Sequence, residues 1–278
     1  MKMLVAFFAV VLALGLGEPA RQDPVPPTVD ALHRPFDEVL DVYVRDGLVY
    51  YRALKGERAR FDRYVATLGA TSADTVNGWP ANRQLAFWIN AYNAFVLQTV
   101  IDHYPIRGRA PEYPAGSIRQ IPGAFERRTH RAGGRSVTLD ALERDVIAGF
   151  GDPRALLALG RGASGGGRLK SEAYTSDRLD AQLSTMTSEL VTRRELVFVD
   201  IANGRLSVNP IFSWREAAFS KLADRAMAVF DQRSPLERAV LALIDPLLVP
   251  NEAAFLKANT FNMVFHEFDW SLNDLTGR

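Results

Sequence analysis

The densest apolar run in the body of the chain is Leu85 to Ile101, LAFWINAYNAFVLQTVI. At 3.6 residues per turn, Leu85, Trp88, Tyr92, Phe95 and Thr99 share one face, and Phe87, Ala91, Ala94 and Ile101 another. A helix that is apolar nearly all round belongs in the middle of a protein, packed on several sides. Asn90 and Asn93 break the pattern, three residues apart on one face. A buried amide without partners costs about 1–3 kcal/mol. Both must therefore bond either to fixed backbone or to the wall of a cleft.

Shorter patterns surround this helix. Phe36, Val39, Leu40 and Tyr43 form a helical stripe that breaks at Gly47, and Leu48 to Tyr51 reads as a short strand. Phe61 to Leu68 is a second amphipathic helix. Pro105 to Pro122 reads as loop. Phe125 to His130 and Arg135 to Val137 flank Ala132-Gly133-Gly134, a hairpin signal. That hairpin carries Arg127, Arg128, His130, Arg131 and Arg135, which make either a solvated basic face or an anion site. Thr138 is a suitable N-cap for a helix over Leu139 to Phe150, and Ser176 for one over Asp177 to Arg194. Leu196 to Ile201 and Arg205 to Val208 are strands joined through Asn203-Gly204. Ile211 to Phe219 is a short helix. Ser234-Pro235-Leu236-Glu237 is a capping box opening a helix to Ile244, and Asn262 to Phe268 is a closing strand. The sum is an α+β fold: a mostly helical single domain around a buried central helix, with two β-hairpins and a small antiparallel sheet.

The first residues change the picture of where this domain works. Lys2 is followed by Leu4 to Leu16, an uncharged apolar run too short for a bilayer, which needs about 20 residues as a helix. Residues 1–17 therefore read as a secretory signal cut near Gly17, with an uncleaved anchor as the other reading. Residues 18–30, rich in Pro and charge, read as an extended linker. The remaining 31–278 fit one domain. An exported protein, periplasmic or extracellular, is the expectation, with no membrane span once the signal is removed. Net charge is +1, so no basic excess points to nucleic acid. Cysteine is absent, so the chain has no disulfide, no thiol nucleophile and no thiolate metal ligand. No metal and no cofactor are expected.

FWINAYNA with Tyr104-Pro105 resembles the core motif of a bacterial and plant family, domain of unknown function number 547. Asp46 to Val65, Asp152 to Arg154, Leu169 to Thr175, Val208 to Trp214 and Phe268 to Asp274 resemble further family segments, in the family's order. The resemblance implies two Cys and two His at positions that fall here on Arg161, Gly166, Leu156 and Arg144. Glu143, beside Arg144, matches the family's Glu.

Cys and His together would imply a thiolate with an imidazole base, or a soft metal site. Gly166 has no side chain, Leu156 no proton to exchange, and Arg stays protonated. The chain thus reads as a non-catalytic member, a pseudoenzyme binding an unknown ligand or protein partner. Its expected cleft gathers Asn90, Asn93, Glu143, Arg144, Asp152, Arg154, Leu156, Arg161, Ser164 and Gly166. Arg144 is expected to pair with Glu143 or Asp152. The alternative is a hydrolase or transferase using Ser164, within Gly162-x-Ser164-x-Gly166, or a Glu143/Asp152 acid–base pair. The Gly-rich loop itself reads either as a flexible remnant of a catalytic turn or as an anion site built from backbone N–H groups.

Overall fold

The computed structural model describes residues 30–276. The expected signal and nearly all of the expected linker lie outside the described residues. The fold is α+β, as the hydrophobic pattern predicts. Helix α1 (Arg34–Tyr43) leads into a minimal hairpin, β1 (Val44–Arg45) and β2 (Leu48–Val49), turned by Asp46 and Gly47 at positive φ. Three helices follow: α2 (Tyr51–Gly56), α3 (Ala59–Ala70) and α4 (Ala73–Asn77).

The central helix α5 (Ala81–His103) is buried from Leu85 to Leu97 without a break. It packs against α2, α3 and the segment after the next hairpin. That hairpin pairs β3 (Thr129–Ala132) with β4 (Arg135–Thr138) antiparallel. Its turn rests on α5: a Cβ on Gly133 would lie 2.7 Å from the Trp88 ring. His130 stacks on Phe95 at 4.5 Å and Arg135 lies over the Trp88 ring, so part of the basic cluster is committed to packing.

The segment after β4 departs from the expected plain helix. Thr138 does cap it, accepting from Ala141 N–H, and α6 (Leu139–Ala141) begins it. The chain then widens to a π-helix over Leu142–Ile147 and tightens to a 3₁₀ turn over Ala148–Phe150. A π turn holds an extra residue and is found at functional sites. Here it buries Glu143 (3% exposed) and leaves Arg144 outside.

Helix α7 (Leu179–Ser188) is shorter than expected. Ser176 does not cap it; its carbonyl instead accepts from Asn82. Strands β5 (Val197–Asp200) and β6 (Arg205–Val208) form the second expected hairpin, with Gly204 at φ +65° in the turn. The short helices α8 (Ile211–Trp214) and α9 (Glu216–Phe219) break at Arg215. Helix α10 (Pro235–Ile244) carries the full capping box, and α11 (Pro250–Lys257) follows. The closing strand β7 (Asn262–Phe265) pairs parallel with β6, so the three-stranded sheet is mixed rather than antiparallel. A local pattern marks a strand but not its partner's direction, which the α-helical crossover between β6 and β7 decides. Among the described residues no helix is long and apolar enough to cross a membrane.

Candidate functional site

The expected cleft residues divide among several places. Asn90 and Asn93 are structural ties. Asn90 donates to Tyr174 O at 2.8 Å and accepts from Tyr174 N–H at 2.9 Å. Asn93 donates to Ala158 O at 3.1 Å and accepts from Gly160 N–H at 2.8 Å. The two amides clamp both ends of the Gly-rich stretch onto the central helix. Asp152 caps the 3₁₀ turn Pro153–Ala158 and pairs with Arg154, which also reaches Asp180 at 2.7 Å. These residues line a separate hollow with Asn82 and Phe150. The Glu143/Asp152 pair expected from the sequence does not form, because each carboxylate is held by its own arginines.

Ser164 and Gly166 line a polar cavity of about 260 Å³ beside Asp46, Arg168 and Arg193. Ser164 follows a 3₁₀ turn and irregular chain rather than a strand, so the context of a nucleophile elbow is missing. Among the described residues no base is hydrogen-bonded to its hydroxyl. The loop is not an open anion nest either. Ser164 N–H donates to Ser271 O at 2.8 Å and Gly165 N–H to Asp269 O at 2.9 Å. The C-terminal segment 268–276 straps the loop down. Asn273 extends the strap by donating to Gly47 O at 2.8 Å and accepting from the Tyr51 hydroxyl at 2.7 Å.

The glycines of this loop therefore serve close approach rather than flexibility. A Cβ on Gly167 would sit 2.0 Å from Leu157 O, and one on Gly165 would sit 2.6 Å from Asp269 N. Both neighbours are backbone and cannot swing aside. At Gly166 the nearest atom would be 3.7 Å away, an ordinary contact. Gly167→Ala should cost about 2–3 kcal/mol through forced backbone shifts, while Gly166→Ala stays within about 0.5 kcal/mol. Urea denaturation of the two variants checks this; equal costs would mean that the loop yields freely.

The site with the most chemistry lies on the other side of Arg161. Arg161 is 2% exposed, and its guanidinium is ion-paired with Glu143. It also donates to Leu159 O at 3.3 Å and Leu156 O at 3.5 Å. Burial opposes the charge on Arg161, but the Glu143 carboxylate outweighs it and holds the group above its ordinary pKa. Tyr92 donates to Glu143 Oε2 at 3.2 Å; burial and the Glu143 charge push that phenol upward. Arg215 Nε lies 3.1 Å from Glu143 Oε1, a charge contact without hydrogen-bond alignment, while Arg215 Nη2 donates to Asp140 at 2.6 Å. Arg144, expected to pair with Glu143 or Asp152, pairs instead with Asp140 at 2.5 Å and Asp145 at 2.7 Å on the surface. Leu156 is wholly buried and contributes only its carbonyl.

Above this ionic floor opens a cavity of about 320 Å³, walled by Arg119, Phe125, Trp214 and Trp270. The Arg119 guanidinium lies 4.5 Å from both the Phe125 and Trp270 ring centres, and pairs with Glu126. Trp214 stacks on Trp270 at 5.8 Å and 14°, and is 39% exposed. Of the residues expected from the sequence, only Glu143 and Arg161 belong to this cavity. Arg119, Asp140, Trp214, Arg215 and Trp270 went unseen as site residues. The two tryptophans stand in family-like segments, but nothing local reveals that segments so far apart meet at Arg161.

The fold and the cavity thus describe an α+β domain with a buried salt-bridge floor under an aromatic wall. Residues 76–191 match the family described as "Protein of unknown function, DUF547", which supports the family resemblance read from the sequence. The match spans the central helix, the π turn and the Gly-rich loop; Trp214, Arg215 and Trp270 lie beyond it. No curated protein and no solved structure matches the chain.

A second charge effect lies at the N-terminal end of the domain. His33 is 2% exposed and bonded through Nδ1 to the Tyr64 hydroxyl at 2.8 Å. Burial lowers its pKa from 6.5 to about 4, aided by Arg83 and opposed by Asp30. The unfolded chain then binds the extra proton below pH 6.5, so stability is full above that value and falls as pH drops towards 4. His33 alone should remove about 2 kcal/mol by about pH 5. His130, lowered to about 4 chiefly by burial, acts in the same direction. Chemical denaturation across this range checks the sign, and His33→Asn should flatten the slope. An unchanged slope in that variant would assign the loss elsewhere.

Proposed function

We propose that this protein is an exported, non-catalytic ligand-binding domain whose site is the cavity between Arg161 and Trp214. One observation carries the reading: a guanidinium locked by Glu143 stands where the family resemblance places a thiol. A buried, paired arginine offers neither a nucleophile nor a proton at neutral pH. The surrounding arginines, carboxylates and indoles are fixed in place, which suits binding. Export rests on the apolar run after Lys2 and the Pro-rich segment behind it.

Two experiments test this. A screen of ester, amide and thiol-transfer substrates on purified protein should give no turnover above background. Turnover that disappears in Ser164→Ala would overturn the reading and favour a serine hydrolase. N-terminal sequencing of protein from a periplasmic fraction should begin near Glu18. Full-length chain confined to the cytoplasm would end the export claim.

A further inference from the structure

The charges lining the Arg161–Trp214 cavity balance: Arg119, Arg161 and Arg215 stand against Glu126, Asp140 and Glu143. Each arginine already has a carboxylate: Glu126 for Arg119, Glu143 for Arg161, and Asp140 for Arg215. An anionic ligand would have to displace a carboxylate, and a cationic one a guanidinium. Either exchange breaks an ion pair; this is expensive at the buried Arg161–Glu143 pair and less so at the partly exposed Arg215–Asp140 and Arg119–Glu126 pairs.

Hydroxyl groups escape this constraint, because each both donates and accepts. They can accept from guanidinium N–H groups and donate to carboxylate lone pairs while every ion pair stays intact. Spare capacity exists on the protein side. Arg119, Arg215 and Asp140 keep 25%, 18% and 31% of their side chains open to solvent, so polar groups on each remain within a ligand's reach.

The aromatic wall narrows the class further. Trp214 keeps 39% of its surface open and is backed by Trp270 and by Phe268 at 4.9 Å. The negative face of an indole attracts positively polarised C–H bonds. A ring with one C–H-bearing face and a rim of hydroxyls meets both demands. The volume of about 320 Å³ stands at the small end of the range of roughly 300–1,000 Å³ for small-ligand sites.

We propose that the Arg161–Trp214 cavity binds a neutral saccharide, one or two rings long, stacked on Trp214 and hydrogen-bonded to Arg119, Arg215 and Asp140. This rests on the reading of the cavity as a ligand site and adds the chemical class.

The chain has four tryptophans, and two of them line this cavity, so intrinsic fluorescence reports on it. The purified protein is titrated with maltotriose, cellotriose, chitotriose, digalacturonate and sodium sulfate, at roughly 50 and 500 mM sodium chloride. At least one neutral trisaccharide should give a saturable change with a Kd that salt does not move. Trp214→Ala should weaken it at least about tenfold, and Trp214→Phe should recover part of the loss. Thermal melting confirms that both variants are folded, as expected for a partly exposed side chain.

Saturable binding of digalacturonate or sulfate alone, weakened by salt and lost in Trp214→Ala, would overturn the neutral class and leave a ligand site in place. Saccharide binding indifferent to Trp214→Ala would overturn the location. No saturable response to any probe would overturn the saccharide assignment. Only turnover in the substrate screen would overturn the non-catalytic reading itself.

Discussion

Glu143→Ala should destabilise the protein by about 3–5 kcal/mol, more than Arg161→Met at the other end of the same pair. The asymmetry follows from what each change strands. Glu143 is the acceptor for Arg161, the charge neighbour of Arg215 and the partner of the Tyr92 hydroxyl. Removing it leaves Arg161, 2% exposed, with only carbonyl acceptors. A guanidinium cannot shed its proton to escape. Removing Arg161 instead leaves Glu143 beside Arg215 and Tyr92, so its charge remains compensated. Glu143→Leu with Arg161→Met removes both buried charges together and should recover at least about half of the single loss. Urea denaturation of the three variants measures this. If Glu143→Ala costs under about 1 kcal/mol, or no more than Arg161→Met, the pair does not form the cavity floor.

Trp88→Ala should cost a comparable amount, about 3–5 kcal/mol, against a total stability of about 5–15 kcal/mol for an ordinary domain. Trp88 is 3% exposed and lies edge-on to Phe87 at 4.9 Å. Its far edge meets Gly133 and its face carries Arg135. Truncation leaves a cavity between α5 and the β3–β4 turn, which the rigid helix cannot close. The hairpin should lose its seat, so amide exchange over residues 129–138 should accelerate ahead of the rest of the domain. A soluble variant with an unchanged melting temperature would place Trp88 outside the core.

How much of this was legible in the sequence depends on the range of the physics involved. The central helix is a local matter: a helix apolar on nearly every side belongs in the interior, and α5 is buried from Leu85 to Leu97. The Asn203-Gly204 turn and the Ser234–Glu237 capping box are likewise set by neighbours, and both form as expected. The same chemistry left Asn90 and Asn93 with two outcomes, and the choice fell to the backbone of Ala158, Gly160 and Tyr174, which no local pattern brings near.

The candidate site shows the limit most clearly. The absence of any thiol is legible in the sequence, because residue types need no geometry, and the family resemblance places its cysteines at Arg161 and Gly166. The sequence gives no sign that Arg161 and Gly166 face different cavities, nor that residues 269–271 pin the Gly-rich loop. Glycines that read as freedom are, at Gly165 and Gly167, the only residues small enough for two backbones to touch. A π turn sends Glu143 inward and Arg144 outward, and the salt bridges follow from that turn. Sequence alone thus determined the helical core, the hairpin turns and the absence of any thiol, each a property of neighbouring residues or of composition. Which charges pair, which glycines are tight and which tryptophans wall the cavity depend on contacts between distant segments, and only the tertiary packing decides those.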